Sequence, residues 1–333
     1  MRTSGNSKSA DLPDIPLIDL GSEGPQALCR AEPKLLVAIM HRGRDHYGPA
    51  AVSLGDRLSR RWLAKAANPY LAEIDAVSEA VGEPGAHLLN LSYEWACTSG
   101  IGPDPDGPGS RLLRTLDWPL HGLGENLVVA RHQSEAGEYY NVTWPGFAGV
   151  LTAMAPGRFS AAINQPPLRR FTPSCWFDWL IGRLGVWRQR ELPPVHLLRR
   201  VFDTCRTYED ARRMLTETPI AMPAFISLSG AEASEGCVIE RGRTSAAVRD
   251  APCSVANHWI AGSGDGHPRG WDSPGRWQMM EDIRQTAAAD LSWVAPPILN
   301  PTTRLAVAAN ASTGMLVVQG WEADGPATNL FRL

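Results

Sequence analysis

The run Tyr93-Glu-Trp-Ala-Cys97-Thr-Ser-Gly100, followed after a Pro/Gly/Asp-rich turn by Arg111-Leu-Leu-Arg114-Thr-Leu-Asp117-Trp118, decides the fold. A small residue, Ala96, precedes a cysteine and two hydroxyl residues, and an arginine and an aspartate follow about a turn and a strand later. A thiol is a nucleophile only as its thiolate, with an unperturbed pKa of about 8.5, so Cys97 needs a base or a cation beside it. Arg114 and Asp117 stand three apart. On a flat strand they face opposite sides, because side chains alternate with period two. Both reach one site only at a bend, a bulge or a strand end, and Asp117-Trp118-Pro119 reads as a strand end.

Outward from this run, 333 residues with 44% apolar and 20% charged side chains fit one large domain or two ordinary ones. A net charge of −3 gives no electrostatic footprint for nucleic acid. Apolar runs such as Leu35 to Met40 are too short to span a bilayer. The polar start, Met1 to Lys8, lacks the apolar centre of a signal peptide, so the expectation is an intracellular, cytoplasmic protein. Six scattered cysteines have no metal or redox spacing, and eight histidines show no ligand pair, so neither a metal nor a cofactor is expected. Cysteines of this kind are ordinarily buried small hydrophobes. Cys97 is set apart by its surroundings.

Residues 1–15 read as a disordered tail. Helical spacing marks 33–47, 54–67 and 69–82, the last with Asn68 as cap and Pro69 in the first turn. Leu88 to Tyr93 reads as a strand entering Cys97. Further strands are expected at 111–118, 125–131, 138–144, 147–153 and 158–163, then a helical block at 174–217. Strands resume at 223–229, 236–241, 244–249 and 252–257. A helix at 275–290 precedes two last strands, 303–309 and 314–320. Strand runs around a helical block suggest antiparallel sheets covered by helices.

The central run resembles the cysteine branch of the N-terminal-nucleophile hydrolases, nearest to the acid ceramidase and N-acylethanolamine-hydrolysing acid amidase family, with bile salt hydrolases and penicillin acylases as cousins. Three later patches, in order, carry the same resemblance: Thr143-Trp144-Pro-Gly through Pro156-Gly-Arg-Phe159 to Asn164, then Val255-Ala-Asn257-His258-Trp259, then Asp272-Ser-Pro-Gly-Arg276. It implies an α+β fold, the four-layer αββα sandwich of that class, with a mainly helical propeptide region. It also implies the parts played by each residue. Cys97 is the nucleophile. Asp117 orients its α-ammonium, and Arg114 favours the thiolate or binds the substrate's polar part. Asn257 supplies an oxyanion-hole amide, with Arg276 nearby, while Trp144, Asn164 and Gln165 line the substrate site. The family's Asn-Glu-Arg is here Asn164-Gln165-Pro166, so a carboxylate is replaced by an amide. His258 is read as a neighbour of the site, and Asn300-Pro-Thr-Thr303 as structural.

Scission of the Ala96–Cys97 bond would give Cys97 a free α-amine, with a reference pKa of about 7.7–8.0, able to take the thiol proton and pass it on to a leaving amine. One residue then holds nucleophile and base. The expected division is a 1–15 tail, a 16–96 propeptide or light chain that stays associated after cleavage, and a 97–333 catalytic domain. The expected activity is hydrolysis of a linear carbon–nitrogen bond in a small N-acyl amide through a Cys97 thioester. The alternatives are an acyltransferase using the same thioester and an uncleaved binding or regulatory homologue that has lost the chemistry.

Overall fold

The strands that carry Cys97 and Asp117 lie side by side near one edge of a sheet. In this computed structural model, which describes residues 12–21, 24–91, 94–262, 264 and 266–333, β2 (Ala96–Pro103) pairs antiparallel with β3 (Ser110–Asp117). They belong to a sheet ordered β12 (Cys253–Val255), β2, β3, β14 (Thr303–Asn310), β15 (Met315–Glu322), β16 (Gly325–Pro326), with β17 (Phe331–Arg332) also on β15. A second sheet runs β1 (Leu17–Gly21), β4 (Val128–Ser134), β5 (Gly137–Thr143), β6 (Thr152–Ala155), β7 (Phe159–Asn164), β9 (Ala224–Gly230), β10 (Gly236–Arg241), β11 (Ala246–Asp250). A small ribbon joins β8 (Leu168–Arg169) to β13 (Gly266–His267).

The two large sheets meet face to face, β2 and β3 against β7 and β9. Helices α7 (Pro194–Thr204) and α8 (Tyr208–Glu217) cover the outside of one sheet, and α9 (Ser273–Ile283) covers the other. This is the expected αββα stack. It explains why β3 is buried along its whole length. Leu112 and Leu116 enter apolar clusters shared with the facing sheet, whereas Leu113 packs with Met280, Ala306 and Ala308 beneath α9. A strand buried on both faces loses its polar alternation.

The N-terminal part contributes β1, added parallel to β4, and helices α1 (Pro25–Ala31), α2 (Pro33–Tyr47), α3 (Pro49–Lys65), α4 (Leu71–Val81) and α5 (Ala86–Leu89). Asn68 accepts from the Tyr70 amide at 3.0 Å and shapes the turn before α4 rather than capping it. Residues 1–11 of the expected tail lie outside the described residues, while Leu12, Pro13 and Asp14 are bonded by Asn329. A buried polar clasp ties α4 to the body. Arg199 donates to Glu73 (2.9 Å at one oxygen) and to the Ala148 carbonyl (2.8 Å), and Tyr70 and Tyr139 both donate to Asp203.

Three expected boundaries change. Leu88 begins no strand, because α5 and a turn occupy 86–91, with Ser92 and Tyr93 outside the described residues. Leu88 and Leu89 pack against Gly55 and Gly43 of α3 and α2, where an added methyl would lie within 3 Å of them. The side chain of Asn90 takes the place of a strand partner, donating to the Ala86 and Gly146 carbonyls and accepting from the Ala148 amide. The strand expected at 147–153 starts only at Thr152, since Phe147 closes a turn on Trp144. The helix expected to reach 290 ends at Ile283. Between β8 and α7 in the chain lies α6 (Cys175–Trp187), which packs on β8 and leaves Trp176 and Phe177 exposed. No helix among the described residues is long and apolar enough to cross a membrane.

Candidate active site

Cys97 is the second residue of β2 and is wholly buried. Its register partner is Leu116, and Ser99 faces Arg114. Cross-strand partners share a face, so Cys97, Ser99 and Arg114 all project between the sheets. The Cys97 thiol donates to the Ile163 carbonyl at 3.5 Å, and Arg114 Nη2 donates to the same oxygen at 3.2 Å. Arg114 Nε is fixed by Thr152 Oγ1 on β6. Burial pushes the Cys97 thiol above its ordinary range, with Asp117 adding to it, and Arg114 and Arg276 pull it the other way.

Asp117 pairs with Ala96 and lies on the opposite face of the same two strands, as period two requires. Its carboxylate accepts from Asn300 Nδ2 at 2.9 Å and Thr303 Oγ1 at 2.8 Å and stands 3.6 Å from Arg276 Nη1. Complete burial raises its pKa, against the pull of Arg276, Asn300 and Thr303. Arg276, on the first turn of α9, spans the backbone of Cys97. Nη1 donates to the Cys97 carbonyl (2.7 Å) and Thr98 Oγ1 (2.8 Å), Nη2 to Asn257 Oδ1 (2.8 Å), and Nε to the Trp271 carbonyl (2.6 Å).

Asn257 follows β12. Its Oδ1 accepts from the Cys97 amide at 2.9 Å as well as from Arg276, and its Nδ2 donates to the Gln165 carbonyl at 2.7 Å. Two donors on one side and a carbonyl on the other fix the amide's orientation. In the intact chain, then, Asn257 rather than Asp117 holds the nitrogen of Cys97. Asn164 accepts from Ser99 Oγ and donates to the Val255 and Ala256 carbonyls, which locks β7 to the turn bearing Asn257. Gly270, at φ +66°, brings the loop before α9 against Ala96. A methyl on it would lie 2.3 Å from the Ala96 methyl.

Arg114, Asn257 and Arg276 are thus brought to the thiol side, amide and carbonyl of Cys97, with Asp117 behind Arg276 and with Asn164 and the Gln165 backbone supporting the turn. Trp144 stands apart. Its indole donates to the Leu123 carbonyl, and its ring meets Trp118 edge-on, which in turn packs at a tilt on Trp95 of the segment before Cys97. Trp144 and Trp118 line a cavity of about 40 Å³ against Met40, Val77 and Leu89 of the N-terminal helices. Sequence reasoning missed Thr152 and Ser273, and it took Asn300 and Thr303 as merely structural although they hold Asp117. The Asn-Pro-Thr-Thr spacing was the available signal for that pair. Thr152 and Ser273 carry no signal short of the strand pairing itself.

No family model matches the chain. Among known proteins it is similar to the acid ceramidase of Balaenoptera acutorostrata scammoni, 32% identical over 240 residues, 63% of this chain and 57% of that protein. The acid ceramidase of Homo sapiens is 34% identical over 203 residues, 53% of this chain and 48% of that one. The chain therefore spans about half the length of the curated relatives it matches. In fold it is similar to the Caenorhabditis elegans N-acylethanolamine-hydrolyzing acid amidase ortholog, with a TM-score of 0.51 at 18% identity, over 71% of this chain and all of that one. The stacked sheets, with a cysteine at the start of an inner strand, are the αββα fold of that amidase. In sequence the chain is similar to the acid ceramidases over about half of their length.

Proposed function

We propose that this chain is the precursor of a cysteine amidohydrolase that cuts itself before Cys97 and then hydrolyses small N-acyl amides. One observation carries the reading: the thiol, amide and carbonyl of Cys97 are each held by a side chain or backbone group that serves this chemistry. In the first reaction Sγ attacks the Ala96 carbonyl carbon. The peptide nitrogen leaves and takes a proton, which gives a thioester and a free α-amine. Water then hydrolyses the thioester, leaving a carboxylate on Ala96 and the thiol on Cys97. In turnover the α-amine takes the thiol proton, Sγ attacks the substrate carbonyl, and the proton goes to the departing amine. Water releases the acyl group as an acid. Arg114 favours the attacking thiolate. Asn257 offers its amide to the developing oxyanion, a donor worth about 10²–10³ in rate.

In this proposal residues 16–96 form a light chain that stays bound through β1 and the Arg199 clasp, and 97–333 form the catalytic unit. The six cysteines, all free thiols, agree with a cytoplasmic site of action. Intact-mass measurement tests the reading. Wild type should resolve into pieces of 96 and 237 residues, and Cys97→Ala should stay whole. The mature protein should hydrolyse at least one of N-acyl amino acids, acylethanolamides, ceramide or bile amides. A full-length wild-type chain without activity on any of them refutes the proposal.

A further inference from the structure

The N-terminal helices hold a buried imidazole that the functional reading does not use. His87, on α5, is 2% exposed and meets a carboxylate with each ring nitrogen. Nδ1 lies 3.2 Å from Asp56 Oδ2 of α3, and Nε2 lies 2.8 Å from Asp75 Oδ1 of α4. Asp56 also accepts from the backbone amides of His87 (2.8 Å) and Leu88 (3.2 Å), so it satisfies the start of α5. Asp75 is held in addition by Arg60 of α3, at 2.7 and 3.0 Å. An ionised carboxylate only accepts, and a neutral imidazole has a single N–H. Both ring contacts are therefore hydrogen bonds only when the ring carries two protons and a positive charge. In either neutral tautomer one nitrogen turns a lone pair toward a carboxylate, and the ring lets go of α3 or of α4.

We propose that protonated His87 is a latch that fastens α3 and α4 to α5, and that rising pH releases it. The inference goes beyond the functional reading and assumes neither cleavage nor turnover. The charged groups around His87 are Asp56 of α3 and Asp75 of α4, with Arg60 of α3 and Glu79 of α4 behind Asp75. Burial works against the imidazolium, but the two carboxylates overcome it and lift its pKa above the usual imidazole value. Burial likewise opposes the charges on Asp56 and Asp75. The bonds to His87, and for Asp75 to Arg60, hold both below the usual carboxylate range. The signs define a window. The contribution of His87 is complete below its unfolded value of about 6.5 and is lost as pH rises through the higher folded value. That of the carboxylates is complete above about 3.9 and is lost as pH falls through their lower folded values. The latch is thus whole in mildly acidic solution and opens on the alkaline side. Its state bears on the rest of the molecule, because Asn90 follows α5 and bonds the Gly146 carbonyl and the Ala148 amide.

The test uses the Cys97→Ala chain, so that one intact chain is observed throughout. Nitrogen-15 NMR follows the His87 ring from pH 5 to 10, and hydrogen exchange reads amide protection in α3, α4 and α5 over the same range. His87 should titrate above 6.5 and carry both ring protons below its midpoint. Protection of the three helices should fall about tenfold for each pH unit by which that midpoint exceeds 6.5. His87→Gln, which donates to one carboxylate and carries no charge, should show lower protection at pH 6 and no such fall. Asp75→Asn should bring the His87 midpoint down and shrink the fall with it. Should His87→Gln not fold, the match between the His87 midpoint and the loss of protection in the parent chain decides. A midpoint at or below 6.5, a midpoint unmoved by Asp75→Asn, or protection that stays level through the His87 titration overturns the latch. None of these readouts depends on activity, so they stand or fall apart from the proposed function.

Discussion

Replacing Arg276 by methionine tests the network behind Cys97 most severely. The guanidinium is wholly buried and serves four acceptors besides facing Asp117 at 3.6 Å. Methionine fills much of the volume but strands the Asp117 carboxylate with only Asn300 and Thr303 as donors. Removing one partner of a buried pair costs about 3–5 kcal/mol, because the remaining charge is uncompensated. Against a total stability of about 5–15 kcal/mol, that is a large fraction. The sign with pH is fixed by Asp117. Burial already raises its pKa in wild type, and losing Arg276 raises it further. The folded variant then binds the proton more tightly than the unfolded chain, whose carboxyl titrates near 3.9. Stability is lost as pH climbs above about 4 and is recovered in acid. Urea unfolding at pH 5 and pH 8, in a Cys97→Ala background to keep one chain, should show a deficit of about 3–5 kcal/mol at pH 8 that shrinks at pH 5. Adding Asp117→Asn should restore much of it, a coupling a double-mutant cycle reads directly. A deficit below about 1 kcal/mol, equal at both pH values and untouched by Asp117→Asn, would refute the buried-pair account.

Two further outcomes follow from the same geometry. Arg199→Met removes the pair to Glu73 across the expected cut, so the cleaved variant should separate into two species on gel filtration where wild type elutes as one; co-elution would show that β1 and apolar packing suffice. Asn257→Ala should lower kcat by about 10²–10³ with KM little changed, and a near wild-type kcat would remove Asn257 from the oxyanion site.

Much of the layered fold was legible because β3, β7, β9 and β14 are short apolar runs bounded by turn residues, and α2, α7 and α8 follow helical spacing. Leu88 to Leu91 misled for a physical reason. Four apolar or amide residues before a strand look extended, but the glycines at 43 and 55 open a groove on α2 and α3 that rewards a helical turn there. Tertiary packing overrode local pattern, and no window of sequence contains both the groove and its occupant. Thr152 was invisible for the same reason, since its value lies in reaching Arg114 across the gap between sheets.

Arg114 and Asp117 posed a conflict that the structure resolves without a bend. Period two set them on opposite faces, whereas the family resemblance set both beside Cys97. Period two holds: Arg114 lies on the face of the Cys97 thiol, and Asp117, on the other face, meets Cys97 only through Arg276. The Cys97 side chain points one way, toward Arg114 and the Ile163 carbonyl, while the residue's peptide groups lie in the sheet plane, open at the strand's start to Asn257 and Arg276. Asp117 need not touch the thiol to matter to it. It holds the guanidinium that holds the Cys97 carbonyl and the oxygen of Asn257. A change at Asp117 should therefore reach Cys97 through Arg276. On this argument Asp117→Asn and Arg276→Met perturb one shared device, and their effects on cleavage before Cys97 should fall short of additive.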